Sequence, residues 1–297
     1  MQVDQALLNR LHRLRIVAPA FASGHRYGER RARATGHGME FADYRHYQAG
    51  DDLRRVDWNA WSRLGAVLVR LFHEDRNLRL HIHLDASGSM GLGSPRRIDF
   101  AGNLALAIAA IGLVQRDTVR LGCFGAETRS GAISDMSLVS GHDLRALGGM
   151  MQALARVEPG TGTIDMRRAI LGHAGRRRAD RAFLISDLLV EEDDMRRVIR
   201  ALAATSARPA LLHVLGPEER NPDLMGTVEL VDAETGGRRF MEITPSMREA
   251  YVAHVTEWLD TVQRLCAGYG VQYLPAPSDE PLDGLITQTL RRASVVE

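Results

Sequence analysis

With 297 residues, 45% of them hydrophobic and 25% charged, the chain can build one large domain, or one domain with an appended piece, around a sizeable core. A formal net charge of +1 supplies no general attraction to nucleic acid or to a membrane surface. Every basic residue other than histidine is an arginine, and the lack of lysine excludes a P-loop lysine, Schiff-base and pyridoxal phosphate chemistry, and a lysine general base.

Cys123 and Cys266 stand far apart in apolar segments and read as buried reduced thiols, which suits the cytoplasm. No signal-peptide pattern opens the sequence. The longest apolar run, Leu104 to Val114, is too short to span a bilayer. The expectation is a cytoplasmic protein with no membrane span and no nucleic-acid partner.

Along the chain, Leu7, Leu8, Leu11, Leu14 and Val17 fall at helical spacing and predict an amphipathic helix over 4–18. Residues 20–38, rich in Gly, Arg and Ala, read as an exposed loop. From Met39 to Glu74 short strands and turns are expected, with a turn at Gly50-Asp51-Asp52 and a strand over Ala66–Phe72. Leu78–Leu84 is a strand, and Ser94-Pro95 is a helix start, Ser as N-cap, for a helix reaching Gln115. Thr118–Phe124 is the next strand, Thr128–Ile133 a short edge strand, and helices follow over about 141–155 and from Ile164. Arg181–Ile185 and Ala210–Leu215 are strands flanking a helix over Glu191–Ala204, whose first turn is acidic as the helix dipole favours. Val228–Val231 and Arg238–Ile243 form a hairpin turning at Thr235-Gly236-Gly237. A long helix over 245–268, a strand over Val271–Leu274 and a helix over Leu282–Arg292 end the chain.

Alternating strands and helices predict an α/β fold with a doubly wound, mainly parallel sheet. Residues 1–75 form an N-terminal helix and small β segment packed on the main domain, and 76–297 form that domain, with a hairpin insertion near 226–243.

The chemistry concentrates in His83-Leu84-Asp85-Ala86-Ser87-Gly88-Ser89, an apolar strand running into Asp-x-Ser-x-Ser. In an open α/β sheet ligands bind beyond the carboxyl strand ends, where the strand order reverses. One carboxylate and two hydroxyls there offer the oxygen donors that Mg²⁺ takes. If the Arg181–Ile185 strand lies beside Leu78–Leu84, Asp187 joins Asp85, and a threonine of Gly160-Thr161-Gly162-Thr163 reaches in from the side. Thr163 is favoured over Thr161 because it stands closer to the next helix. The same residues also suit plain loop duties: Asp85 capping a turn, the serines satisfying amides, Asp187 and the threonines capping helices.

This series resembles the metal-ion-dependent adhesion site of von Willebrand factor A domains, over about 78–216 and more weakly 245–292. The resemblance implies Mg²⁺ or Mn²⁺ held by Asp85, Ser87, Ser89, Thr163 and Asp187, and an open position that takes an Asp or Glu from a partner protein. A second pattern comprises Glu40-Phe41, Arg45-x-Tyr47, Gly50-Asp51-Asp52-x-Arg54, Asp57-Trp58, Arg63 and Val69-Arg70 before the Asp-x-Ser strand. It is similar to the bacterial family called domain of unknown function 58, whose members carry a von Willebrand A-like fold. They are commonly associated with AAA+ ATPases of the MoxR type. The N-terminal membrane helices that many members have do not carry over.

Elsewhere plain readings prevail. Asp51, Asp52 and Asp57 are expected to pair with arginines and cap a short helix, with Trp58 and Trp61 as packing anchors against the sheet. His81 and His83 share a strand face without a third ligand in suitable spacing, so they belong to the core. Arg176-Arg177-Arg178 and Arg30-Arg31-x-Arg33 are solvated. No Gly-x-Ser-x-Gly elbow, Walker loop, His-Glu-x-x-His or zinc motif occurs. The expected function is a metal-dependent protein-interaction module, an adaptor or chaperone-like partner of a MoxR-type ATPase, and not an enzyme. Two alternatives stay open. One is a Mg²⁺-dependent phosphoester hydrolase recruiting His37, His46 or His73, and the other is a metal-free scaffold.

Overall fold

The computed structural model describes residues 10–17, 39–48, 50–74, 77–127, 133–160, 164–175, 178–233 and 235–297. They fall into two compact units, one within Phe21–Asn77 and the other made of Met1–Ala20 with Leu78–Glu297. The expected boundary at 75/76 lies close to the join at Asn77/Leu78, but residues 10–17 belong with the larger unit.

In the small unit, β1 (Met39–His46) pairs antiparallel with β2 (Leu68–Glu74), with a bulge between Phe41 and Asp43. Helix α1 (Trp58–Leu64) starts at Asp57, whose Oδ1 accepts from the amides of Asn59 and Ala60 at 3.0 Å each. Tyr44 Oη donates to Asp57 Oδ2 at 2.8 Å. Arg45 holds Asp51 through two bonds of 3.0 and 2.9 Å, and Asp52 caps a short 3₁₀ turn, Leu53–Arg55. The aspartates of this turn are thus committed to caps and arginine pairing, as their sequence context implied. Trp58 and Trp61 meet each other edge to face, 6.1 Å apart.

The larger unit is a six-stranded sheet. Its strands are β3 (Arg79–Asp85), β4 (Thr118–Glu127), β5 (Ile133–Gly141), β6 (Ala179–Ser186), β7 (Ser206–Leu215) and, after a separate hairpin of β8 (Gly226–Val231) and β9 (Arg238–Ile243), β10 (Gln272–Pro277). The order is β10-β7-β6-β3-β4-β5, all parallel except β5, which is antiparallel to β4. Of the expected edge strand Thr128–Ile133, residues 128–132 lie outside the described residues, and β5 begins only at Ile133.

Alternation along the strands divides two cores. Phe183 and Ile185 of β6 join one, with Leu80, Ile82 and Leu84 of β3; Ala182 and Leu184 join the other. The first core lies under α2 (Arg97–Val114), α3 (Arg145–Leu154) and the C-terminal helical segment Leu282–Leu290. The second is covered by α4 (Met166–Ala174), α5 (Glu192–Thr205) and α6 (Pro245–Gly268). Helices on both faces of a mostly parallel sheet make the doubly wound α/β architecture.

Helix α2 is the one described helix long and apolar enough to cross a bilayer, and 83% of it is buried inside the protein. It begins at Arg97, three residues after the expected cap, and Ser94 and Pro95 lie in the preceding turn. Of the expected helix over 4–18, residues 4–9 and 18 lie outside the described residues, and the described part is helical only at its start. Only Arg10 and Leu11 are helical among its described residues, and Ile16 pairs with Val296. Arg15 and Glu297 exchange backbone bonds of 3.0 and 2.9 Å, a long-range pairing that overrides the local helical period.

Candidate functional site

The register Leu84↔Ile185 sets Asp85, at the end of β3, alongside Ser186 at the end of β6. From β3 the chain crosses to β4 on one side, and from β6 to β7 on the other, so the strand order reverses between these two ends. The four described residues expected to form the site meet there.

Asp85 is fully buried; its Oδ1 accepts from Ser87 N at 2.9 Å and its Oδ2 from Ser186 Oγ at 2.6 Å. The hydroxyls of Ser87 and Ser89 lie 3.2 Å apart, and Ser89 reaches on to the Asp187 carboxylate. Asp187 Oδ1 accepts from Leu189 N at 3.3 Å, while its Oδ2 accepts no hydrogen bond. Leu188, buried between them, sits in the left-handed region at φ 49°, and Leu188 N donates to Ser186 Oγ at 2.9 Å. Such a conformation costs on the order of 1–3 kcal/mol and clusters at functional loops. His213 secures the backbone beneath. Burial pushes its pKa down to about 4, so the neutral ring donates through Nε2 to the Asp187 carbonyl at 2.8 Å and accepts from Tyr273 Oη at 3.0 Å.

The second expected loop starts in place. Gly160 N donates to the carbonyls of Ala86 and Gly125, 3.0 Å from each, and Gly160 bridges to Ser87. Thr161 and Thr163 lie outside the described residues. Gly125 has φ +79°, and a Cβ there would run into Ile164 and come within 3.1 Å of Ser87 N, so only glycine suits this approach.

The electrostatics centre on a residue that the sequence did not single out. Arg97, the first residue of α2, is fully buried. Its guanidinium donates to the Ser89 carbonyl and places Nη1 2.8 Å from Glu219 Oε1 and 3.4 Å from Asp187 Oδ2. Burial pushes the Asp85 carboxyl up to about 7, with the Asp187 charge adding to the shift. Asp187 is also raised, by burial first, with Arg97 opposing. The pair therefore carries less than two full negative charges near neutral pH unless further positive charge arrives.

The donors fit a small hard cation: two carboxylates and two hydroxyls, all oxygen, with one buried carboxylate oxygen not hydrogen-bonded. Ser87, Ser89 and Asp187 line a cavity of about 1010 Å³, whose walls include Leu189, Glu219 and Trp258. Asp85 lies below that surface.

Besides Arg97, sequence reading missed Ser186, Glu219 and His213. Ser186 adjoins Asp187 in the chain, which was the one available signal. His81 and His83 were assigned to the core for want of a third ligand, yet α4 brings His173 Nδ1 to 2.8 Å from His83 Nδ1. Burial holds all three neutral, with His81 lowered to about 4, His173 to about 3 and His83 well below its usual value. Among the described residues, no group of three or more His, Cys, Asp or Glu side chains is arranged to hold a metal. His81 and His83 are both buried and pack ring to ring, in keeping with a core placement.

A protein-family model described as "Protein of unknown function DUF58" matches residues 43–259. An uncharacterized protein of Mycobacterium tuberculosis, Rv1480, is 30% identical over 283 residues, 93% of this chain and 86% of the relative. Among solved structures, the conserved hypothetical protein BatB of Bacteroides thetaiotaomicron aligns with a TM-score of 0.42 at 16% identity, covering 73% of this chain and 99% of that one.

Proposed function

Because the chain belongs to the family of proteins of unknown function DUF58, we propose that it is a cytoplasmic protein-interaction module built on a von Willebrand factor A-like sheet, with a divalent-cation-dependent adhesion site as its contact point. The observation that carries this reading is the meeting of Asp85, Ser87, Ser89 and Asp187 at the reversal of strand order. Together with Thr163 they would hold Mg²⁺ or Mn²⁺. The ion, when bound, supplies a directional attraction for an Asp or Glu of the partner. The chain's own part is to fix the oxygens. Ser186 and the Ser87 amide orient Asp85, the Leu189 amide and His213 hold the Asp187 loop, and Gly125 lets the second loop approach. The resemblance of the small unit's motifs to domain of unknown function 58 proteins makes a MoxR-type AAA+ ATPase the partner to try first.

The test is capture of such an ATPase by the full chain in Mg²⁺, in EDTA and with Asp85→Ala. Binding that depends on the ion and on Asp85 supports the reading; equal binding in all three refutes the metal-bridged contact. A second reading, a metal-free scaffold, is favoured by Arg97, whose guanidinium already supplies positive charge to Asp187. Titration calorimetry with Mg²⁺ and Mn²⁺ separates the two.

A further inference from the structure

We infer that the cleft above the carboxylate pair receives a partner segment that sets an arginine or lysine beside an apolar side chain. The inference rests on the proposed function only in taking this rim of the sheet as the interaction face. It narrows the partner from any acidic residue to one with basic neighbours.

The cleft, about 1010 Å³, is acidic on two walls. Glu191, Glu192 and Asp194 come from the start of α5 and Glu257 from α6, while no arginine is among the described residues lining it. Glu192 and Asp194 spend part of their charge on Arg196 and Arg197, at 2.8 and 2.7 Å. Glu191 and Glu257 have no ion pair among the described residues, so their charge is open to a partner. Acidic first turns are common on helices for the dipole alone, so the carboxylates by themselves would mean little. Two independent features point to a ligand. At the floor, Asp187 Oδ2 is buried and accepts no hydrogen bond, its nearest positive group being the Arg97 guanidinium at 3.4 Å, which it shares with Glu219. Between the acidic walls, Leu189 is 47% and Tyr251 41% exposed, beside Trp258. A concave acidic surface focuses potential toward cations and repels a purely acidic segment. An apolar side chain would cover Leu189, and a cation can also rest on the Trp258 face. A carboxylate meant for the ion must therefore arrive flanked by positive charge.

The test is panning of a displayed library of random twelve-residue peptides on the full chain, in Mg²⁺ and again in EDTA. Enriched peptides are expected to join arginine or lysine to apolar residues. They should bind on the order of tenfold more weakly to Glu191→Arg/Glu257→Arg, and the loss should shrink as salt is raised. Glu191→Gln/Glu257→Gln gives the graded, milder control at the same exposed positions. Acidic or uncharged winners, winners indifferent to both double variants, or no enrichment at all overturn the inference. Basic and apolar winners that bind equally in EDTA uphold it while the ion-dependent reading fails. Acidic winners that need Mg²⁺ do the reverse.

Discussion

Asp85→Asn removes one of the two buried carboxylates with little change of shape. The wild-type carboxyl is raised from 3.8 to about 7, burial first and the Asp187 charge second. Between those values the folded chain keeps a proton that the unfolded chain has released. Stability associated with this group is therefore fully present below pH 3.8 and is lost as pH rises through about 7. At 1.36 kcal/mol per pKa unit, the shift corresponds to about 4 kcal/mol as an upper bound, since the titration is shared with Asp187. Asparagine does not titrate. It keeps an acceptor for the Ser87 amide but loses the bond donated by Ser186, a pH-independent cost of about 1 kcal/mol. The assay is urea unfolding followed by circular dichroism from pH 4.5 to 8 in EDTA. The variant is expected to be slightly less stable than wild type at the acid end and more stable, by up to about 3 kcal/mol, at pH 8. Saturating Mg²⁺ should flatten the wild-type profile and leave the variant unchanged. Parallel profiles for the two proteins in EDTA would refute the claim that Asp85 is destabilised in its charged form.

Arg97→Met leaves Asp187 and Glu219 without their shared cation, and breaking such a buried pair costs about 3–5 kcal/mol at pH 8. The loss should shrink as pH falls, because Asp187, raised by burial, takes up a proton more readily, and an equal loss at every pH would contradict the assigned contacts. Gly125→Ala drives a methyl group into Ile164 and toward the Ser87 amide from a left-handed backbone, so thermal unfolding is expected to show a loss of roughly 2 kcal/mol. An alanine variant as stable as wild type would mean that the loop yields freely.

What the sequence made legible was local. An apolar strand ending in Asp85-x-Ser87-x-Ser89, and another ending in Asp187, announce themselves through composition and spacing alone. The hairpin at 226–243 and the helix over Pro245–Gly268 were equally plain, because their turn and cap chemistry lies within a few residues. Features made by distant partners were not legible. Arg97 belongs to no motif and gives no signal in the sequence; only the fold turns it inward, between Asp187 and Glu219. His173 meets His83 because Gly122 has no side chain to fill the space between α4 and β4. Leu11 and Leu14 follow a helical period, yet the chain around Ile16 finds a strand partner some 280 positions away in Val296.

The stitching of Arg15–Val17 to Val295–Glu297 makes the small unit an excursion leashed at both ends. A single proteolytic nick within 18–38 would leave the excursion fastened through Asn77. The severed N-terminal piece would be retained by its backbone pairing and by Leu11, Leu14 and Ile16 in the core. A chain started at Leu78, by contrast, would carry all six strands and still unclothe its own tail, baring Val295 and Val296 and the last helical turn. Dissection of this protein is therefore safer by shortening the excursion between its leashes than by trimming from the front.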